Sequence, residues 1–107
     1  DEDVKAGPFH PAFRQLVEDR IYCTALLNFL GKMNLEGENI TIYAPDNLIS
    51  YIAGQNKANI NKLKEELSIK QISFKNIKGD IIEIYHDNKK WRSFHKQEIY
   101  QDYLRRQ

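Results

Sequence analysis

The fold of this chain turns on the stretch "LISYIAGQNKANINKLKEEL", Leu48 to Leu67. Leu48, Ile49 and Ile52 recur at helical spacing before Gly54, and Ile60, Leu63 and Leu67 do so after Lys57. Two amphipathic helices therefore meet at the tetrapeptide Gly54-Gln55-Asn56-Lys57. Upstream, "ITIYA" (Ile40–Ala44) alternates and is rich in β-branched residues, which predicts a strand that Pro45 ends and a helix that Asp46 caps. Downstream, "KQISFK" (Lys70–Lys75) predicts a strand with Ile72 and Phe74 inward. Gly79 marks a turn, and "DIIEIYH" (Asp80–His86) predicts another strand with Ile82 and Ile84 inward. Asp87-Asn88 is turn chemistry, after which Lys89–Phe94 either returns as a short strand or runs straight on.

Working outward, the outer segments are helical. Phe13, Val17 and Ile21 form one stripe, and Tyr22, Leu26, Phe29 and Leu30 a neighbouring one, so Pro11 to Leu30 reads as one long helix. Pro11 suits a first turn and Gly31 a C-terminal cap. Lys96–Arg106 predicts a last helix through Ile99, Tyr103 and Leu104. Residues 1–10, acidic and then Ala6-Gly7-Pro8, read as a linker or the edge of a longer protein. Residues 11–107 read as a single α+β domain: an N-terminal helix over 11–31, a core over 40–86 and a C-terminal helix over 95–106. The expected architecture is a small sheet with helices on one face.

A chain of 107 residues fits one domain and buries roughly two-thirds of its unfolded surface without a disulfide or metal. No run approaches a membrane span, and the acidic start "DEDVKAGP" is not that of a signal peptide. The single cysteine, Cys23, has no disulfide partner, so the cytosol is the expected compartment. Net charge is +1 but unevenly spread. Residues 1–50 carry four basic and eight acidic side chains, and residues 51–107 carry twelve and seven. A basic half points mildly to a polyanionic partner.

Strand, short helix, GxxG-like turn, longer helix, strand is the core order of the KH nucleic-acid-binding module, and "IAGQNKANINKLKEELSIKQISF" resembles a KH element along its length. In that module the loop clamps the backbone of about four nucleotides. Such a clamp needs glycines for close approach, free N–H groups at a helix N-terminus and basic neighbours. Gly54 fills the first glycine position, but Lys57 stands at the second. Its side chain crowds a phosphate, while its ammonium attracts one. Asn61 and Lys64 follow Lys57 on one helical face, and Lys62 adds charge. The resemblance implies RNA contact through Gly54, Gln55, Asn56, Lys57, Asn61, Lys62 and Lys64. The other reading is a plain turn beside a solvated lysine face.

"GPFHPAFRQLVEDRIY", Gly7 to Tyr22, resembles a segment of the C-terminal domain of bacterial radical SAM proteins. That group includes elongator-type tRNA-modifying enzymes and oxygen-independent coproporphyrinogen-oxidase-like proteins. The Gly-Pro-Phe-His-Pro-Ala-Phe core is its distinctive part. The resemblance implies a parent that uses a [4Fe-4S] cluster and S-adenosylmethionine, with its catalytic domain upstream of residue 1. Such a cluster needs three cysteine thiolates, and this chain has one cysteine, so no cofactor is expected here. Phe9, His10, Phe13 and Tyr22 are then candidates for contact with that upstream domain.

His86 and His95 flank Lys89-Lys90-Trp91-Arg92 without further ligands at metal spacing, so no metal site is expected. "NKKWRSFHK", Asn88 to Lys96, reads either as a base-stacking patch or as a hairpin return with Trp91 and Phe94 in the core. Tyr43 and Tyr85, opposite the inward isoleucines, share a face open to bases or to a partner domain. No Gly-x-Ser-x-Gly elbow, phosphate-binding loop or HExxH is present, and no catalytic residue is expected. Two functional readings result: an RNA-binding module assisting a tRNA-modifying radical SAM enzyme, or an interaction domain that docks on the catalytic barrel or sets an oligomer in a porphyrin-related oxidoreductase. The sequence leaves the oligomeric state open.

Overall fold

A computed structural model of the protein describes residues 11–106, with side chains over 13–106. Helix α1 (Pro11–Gly31) leads into strand β1 (Asn39–Ala44), and helix α2 (Asp46–Ala53) follows. A single 3-10 turn (Gln55–Lys57) joins it to helix α3 (Ala58–Leu67). Strands β2 (Gln71–Asn76), β3 (Ile81–His86) and β4 (Lys89–His95) then precede helix α4 (Lys96–Arg105). The molecule is α+β.

The sheet order is β2-β1-β3-β4. β1 and β2 are parallel, because the two helices between them carry the chain back to the same end of the sheet. β3 runs antiparallel to β1, with Ile42 opposite Ile84. β3 and β4 form a hairpin whose turn residues, Asp87 and Asn88, are both left-handed at φ 54° and 61°. Two consecutive residues of positive φ match the twist of the flanking strands, so Lys89–His95 returns as a strand. A register shift between Ile84 and Tyr85 leaves Trp91 as an extra residue in β4.

Ile40, Ile42, Ala44, Ile72, Ile82, Ile84 and Phe94 are buried on one sheet face. Onto that face pack Tyr22, Ala25, Leu26 and Leu30 of α1, Leu48 and Ile52 of α2, Leu63 of α3 and Ile99 of α4. Phe29 stacks on Phe94, with ring centroids 4.6 Å apart and planes 12° apart.

Three expectations change. The first α1 stripe does not enter the core: Phe13 and Val17 are exposed and Ile21 is partly buried. α4 turns a different face inward, burying Ile99 and Asp102 and leaving Leu104 69% exposed. Asp102 tolerates burial because Asn28 Nδ2 (2.8 Å) and Arg106 Nε (3.1 Å) donate to its carboxylate. Asp46 does not cap α2; it is the first helical residue, where its charge suits the helix dipole, and it accepts from Asn76 Nδ2 at 2.6 Å.

Candidate functional site

The α2–α3 turn is built on three residues of positive φ. Gly54 sits at φ 79°, ψ 163°, Asn56 at φ 55° and Lys57 at φ 61°. A Cβ on Gly54 would lie 2.8 Å from Asn59 Cγ and 2.9 Å from the Asn59 amide nitrogen. Glycine is therefore required there for both conformation and space. At Lys57 the left-handed shape persists without a glycine. The Lys57 N–H donates to the Gly54 carbonyl at 3.1 Å, which closes the turn.

The turn is fastened to the rest of the protein by two buried polar side chains, Asp19 of α1 and Asn59 of α3. Asp19 Oδ2 accepts the Gln55 N–H at 3.0 Å, and Gln15 Nε2 donates to Oδ1. Asn59 Nδ2 donates to the Asp19 carbonyl at 2.8 Å and to the Tyr51 carbonyl at 3.1 Å. A carboxylate thus already holds a main-chain N–H of the kind a phosphate would seek in this loop. A phosphate at the same place would meet the Asp19 charge, which repels it.

Asn56, Lys57, Asn61 and Lys62 are exposed, and Lys64 is half-buried. Gln55, Asn56 and Lys62 face Leu16, Arg20 and Cys23 across a groove of about 560 Å³ between α1 and the start of α3. Lys57, Asn61 and Lys64 do not line it. Burial raises the pKa of the Cys23 thiol, an effect the positive charge of Lys62 opposes.

Asp19 and Asn59 were absent from the sequence-derived candidates, although a signal existed. Asp19 lies three and seven residues before Tyr22 and Leu26, and Asn59 lies four before Leu63. A polar residue on a buried stripe marks a hydrogen bond that the fold must supply.

Phe9 and His10 lie outside the described residues. Phe13, Leu16 and Val17 form a contiguous exposed face on the first turns of α1, at 45%, 55% and 41% exposure. Tyr22, expected at an interdomain surface, is instead fully buried within this domain. Its ring packs against Tyr51 and Tyr100, with centroids 5.7 and 5.8 Å away. The Tyr100 hydroxyl donates to Glu18 Oε1 at 2.6 Å. Burial raises the pKa of both Tyr22 and Tyr100, and the bond to Glu18 raises Tyr100 further.

His86 pairs with Glu38, and His95 Nδ1 accepts the Gln97 N–H in a capping box with Glu98. Tyr43 and Tyr85 do share the outer sheet face, with centroids 4.5 Å apart. Phe94 is in the core, whereas Trp91 is 40% exposed beside His86. Among the described residues no three His, Cys, Asp or Glu side chains gather as metal ligands. One buried thiol does not fit a cluster that needs three thiolates. No helix of the described residues is long and apolar enough to cross a membrane. Compared with protein-family models, curated proteins and solved structures, the chain has no match.

Proposed function

We propose that this chain is a non-catalytic interaction domain whose α1 start docks on another protein domain. The observation that carries the reading is the exposed triad Phe13, Leu16 and Val17. Three large apolar side chains on one helical face leave water when a partner covers them, at about 25 cal/mol per Å² of apolar surface removed. The triad lies at the N-terminal end of α1, so a domain preceding residue 11 would emerge beside it. In this reading that domain is a catalytic barrel with its own [4Fe-4S] cluster and S-adenosylmethionine, as the resemblance of Gly7 to Tyr22 to radical SAM proteins implies. A cytosolic location belongs to the same reading.

The test is hydrogen exchange of α1 in this chain and in a longer protein that carries the upstream domain. Amides over 13–17 should gain protection in the longer protein, and Leu16→Asp with Val17→Asp should abolish the gain. Equal exchange in both proteins sinks the reading.

A second reading keeps the loop as an RNA contact, supported by the exposed Asn56, Lys57, Asn61 and Lys62. The bond from Gln55 to Asp19 counts against a main-chain cradle, so contact would run through side chains. Binding of mixed tRNA at two salt concentrations, with Lys57→Asp and Lys64→Glu combined, tests it. Salt-dependent binding lost in that variant would favour RNA; no binding at low salt removes it.

A further inference from the structure

A second concavity, of about 540 Å³, lies at the far end of α1 and is unrelated to the loop. Three elements build it: Asn28, Phe29 and Lys32 from the end of α1, Arg92 from β4, and Gln101, Asp102 and Arg105 among others from α4. It lies about 20 Å along α1 from Leu16, given a rise of about 1.5 Å per residue.

Its charge is unbalanced. Asp102 is already held by Asn28 and Arg106. Glu98 accepts the His95 N–H in the α4 capping box. Lys32, Arg92 and Arg105 have no carboxylate within ion-pair distance among the described residues. Proximity to the C-terminal ends of α1 and α4 accounts for Lys32 and Arg105, since cations there offset the negative end of a helix dipole. It does not account for Arg92, which comes from a strand.

Arg92 occupies an inward-facing register position, opposite buried Ile84. Its guanidinium lies over Phe94 at 5.0 Å and over Phe29 at 5.8 Å from the ring centroids. A cation–π contact of this kind holds the ion without using its N–H donors on an acceptor oxygen. The stacked pair Phe29–Phe94 therefore holds a planar, five-donor cation at the wall of a polar concavity.

We infer that the concavity between the end of α1, β4 and α4 binds a phosphate group, with Arg92 as its planar donor and Lys32 and Arg105 as further positive charges. Three unpaired cations against two carboxylates that are already engaged suit a phosphate of about −1.5 to −2 charge better than a single carboxylate. Guanidinium donors also match the oxygens of a phosphate in pairs. A phosphomonoester of a small molecule carries that charge, while a phosphodiester of an RNA backbone carries one negative charge per phosphate and presents the same kind of acceptor oxygens.

The test is a titration of the chain followed through its backbone amide NMR shifts. The probes are inorganic phosphate, a nucleoside 5′-monophosphate and a short single-stranded oligoribonucleotide without terminal phosphates. Saturable shifts at Phe29, Lys32, Arg92, Gln101 and Arg105 are expected, weakening about tenfold in Arg92→Gln. Arg92→Lys, which keeps the charge and loses the fork, should fall between the two. Arg105→Gln, at an exposed helix end, tests the site even if an Arg92 variant misfolds. Response to the two small probes alone assigns a small-molecule ligand; response to the oligoribonucleotide assigns an RNA backbone. Absence of saturable shifts with every probe overturns the proposal. Shifts that persist in both Arg92→Gln and Arg105→Gln overturn it equally. The docking triad lies at the other end of α1, so failure here leaves that reading untouched.

Discussion

Gly54 and Lys57 both sit at positive φ but in different regions, Gly54 at ψ 163° and Lys57 at ψ 24°, and substitution should tell them apart. Gly54→Ala forces a Cβ to 2.8 Å from Asn59 Cγ at a φ of 79°. The Asn59 side chain cannot retreat without releasing the Asp19 and Tyr51 carbonyls. We expect a loss of about 2 kcal/mol or more, from backbone strain and a displaced hydrogen bond, read by chemical denaturation. Lys57 has no such crowding but keeps φ at 61°, a conformation that costs an L-residue roughly 1–2 kcal/mol. Lys57→Gly should relieve that strain, against an unfolded-state entropy cost of about 0.4–1 kcal/mol. Lys57→Gly should therefore be more stable than Lys57→Ala, which keeps the strain. The reverse order would mean that the turn is not left-handed at this position.

Between elements, sequence and structure part company in an instructive way. The order of helices and strands was legible because each element carries its own period: Ile40, Ile42 and Ala44 at spacing two, Leu48 and Ile52 at spacing four. The turn at Asp87-Asn88 was legible because its residues tolerate positive φ. Which face of α4 turns inward was not legible. Leu104 is the more apolar choice, yet Asp102 is buried, because Asn28 and Arg106 satisfy its carboxylate. Asn28 is 74 residues away in sequence, so no local pattern announces the pairing. The same holds for the loop, where the decisive partner of Gln55 is Asp19 on a helix 36 residues upstream. Asp102→Ala checks the α1–α4 seam: it strands the Asn28 amide and one Arg106 contact and should cost about 1–3 kcal/mol. Arg106→Ala removes only a helix-end partner and should cost less. Equal, negligible effects would show that the carboxylate does not hold the seam.

For the molecule as a whole, the buried phenol of Tyr22 and the partly buried phenol of Tyr100 contribute, with the Cys23 thiol, to how stability responds to alkali. Both phenols have folded-state pKa values above the ordinary tyrosine value of 10.0, chiefly through burial. Below that pH the phenols are neutral in folded and unfolded chains alike, and their contribution is fully present. As pH rises past it, the unfolded chain releases these protons while the folded chain retains them, so stability falls. The fall continues until each folded-state value is passed, at up to about 1.4 kcal/mol per pH unit for each phenol. Tyr100→Phe removes one of the two. The variant should start less stable at neutral pH, because it loses the hydrogen bond to Glu18, a cost of about 1–3 kcal/mol. Its decline in alkali should nevertheless be shallower. The slope rather than the intercept is the informative quantity, since any destabilising substitution lowers the intercept. Urea denaturation at several pH values above 10 gives both. An unchanged slope would mean that Tyr100 ionises as freely in the folded protein as in the unfolded one, and that α4 does not seal against α1 at this point.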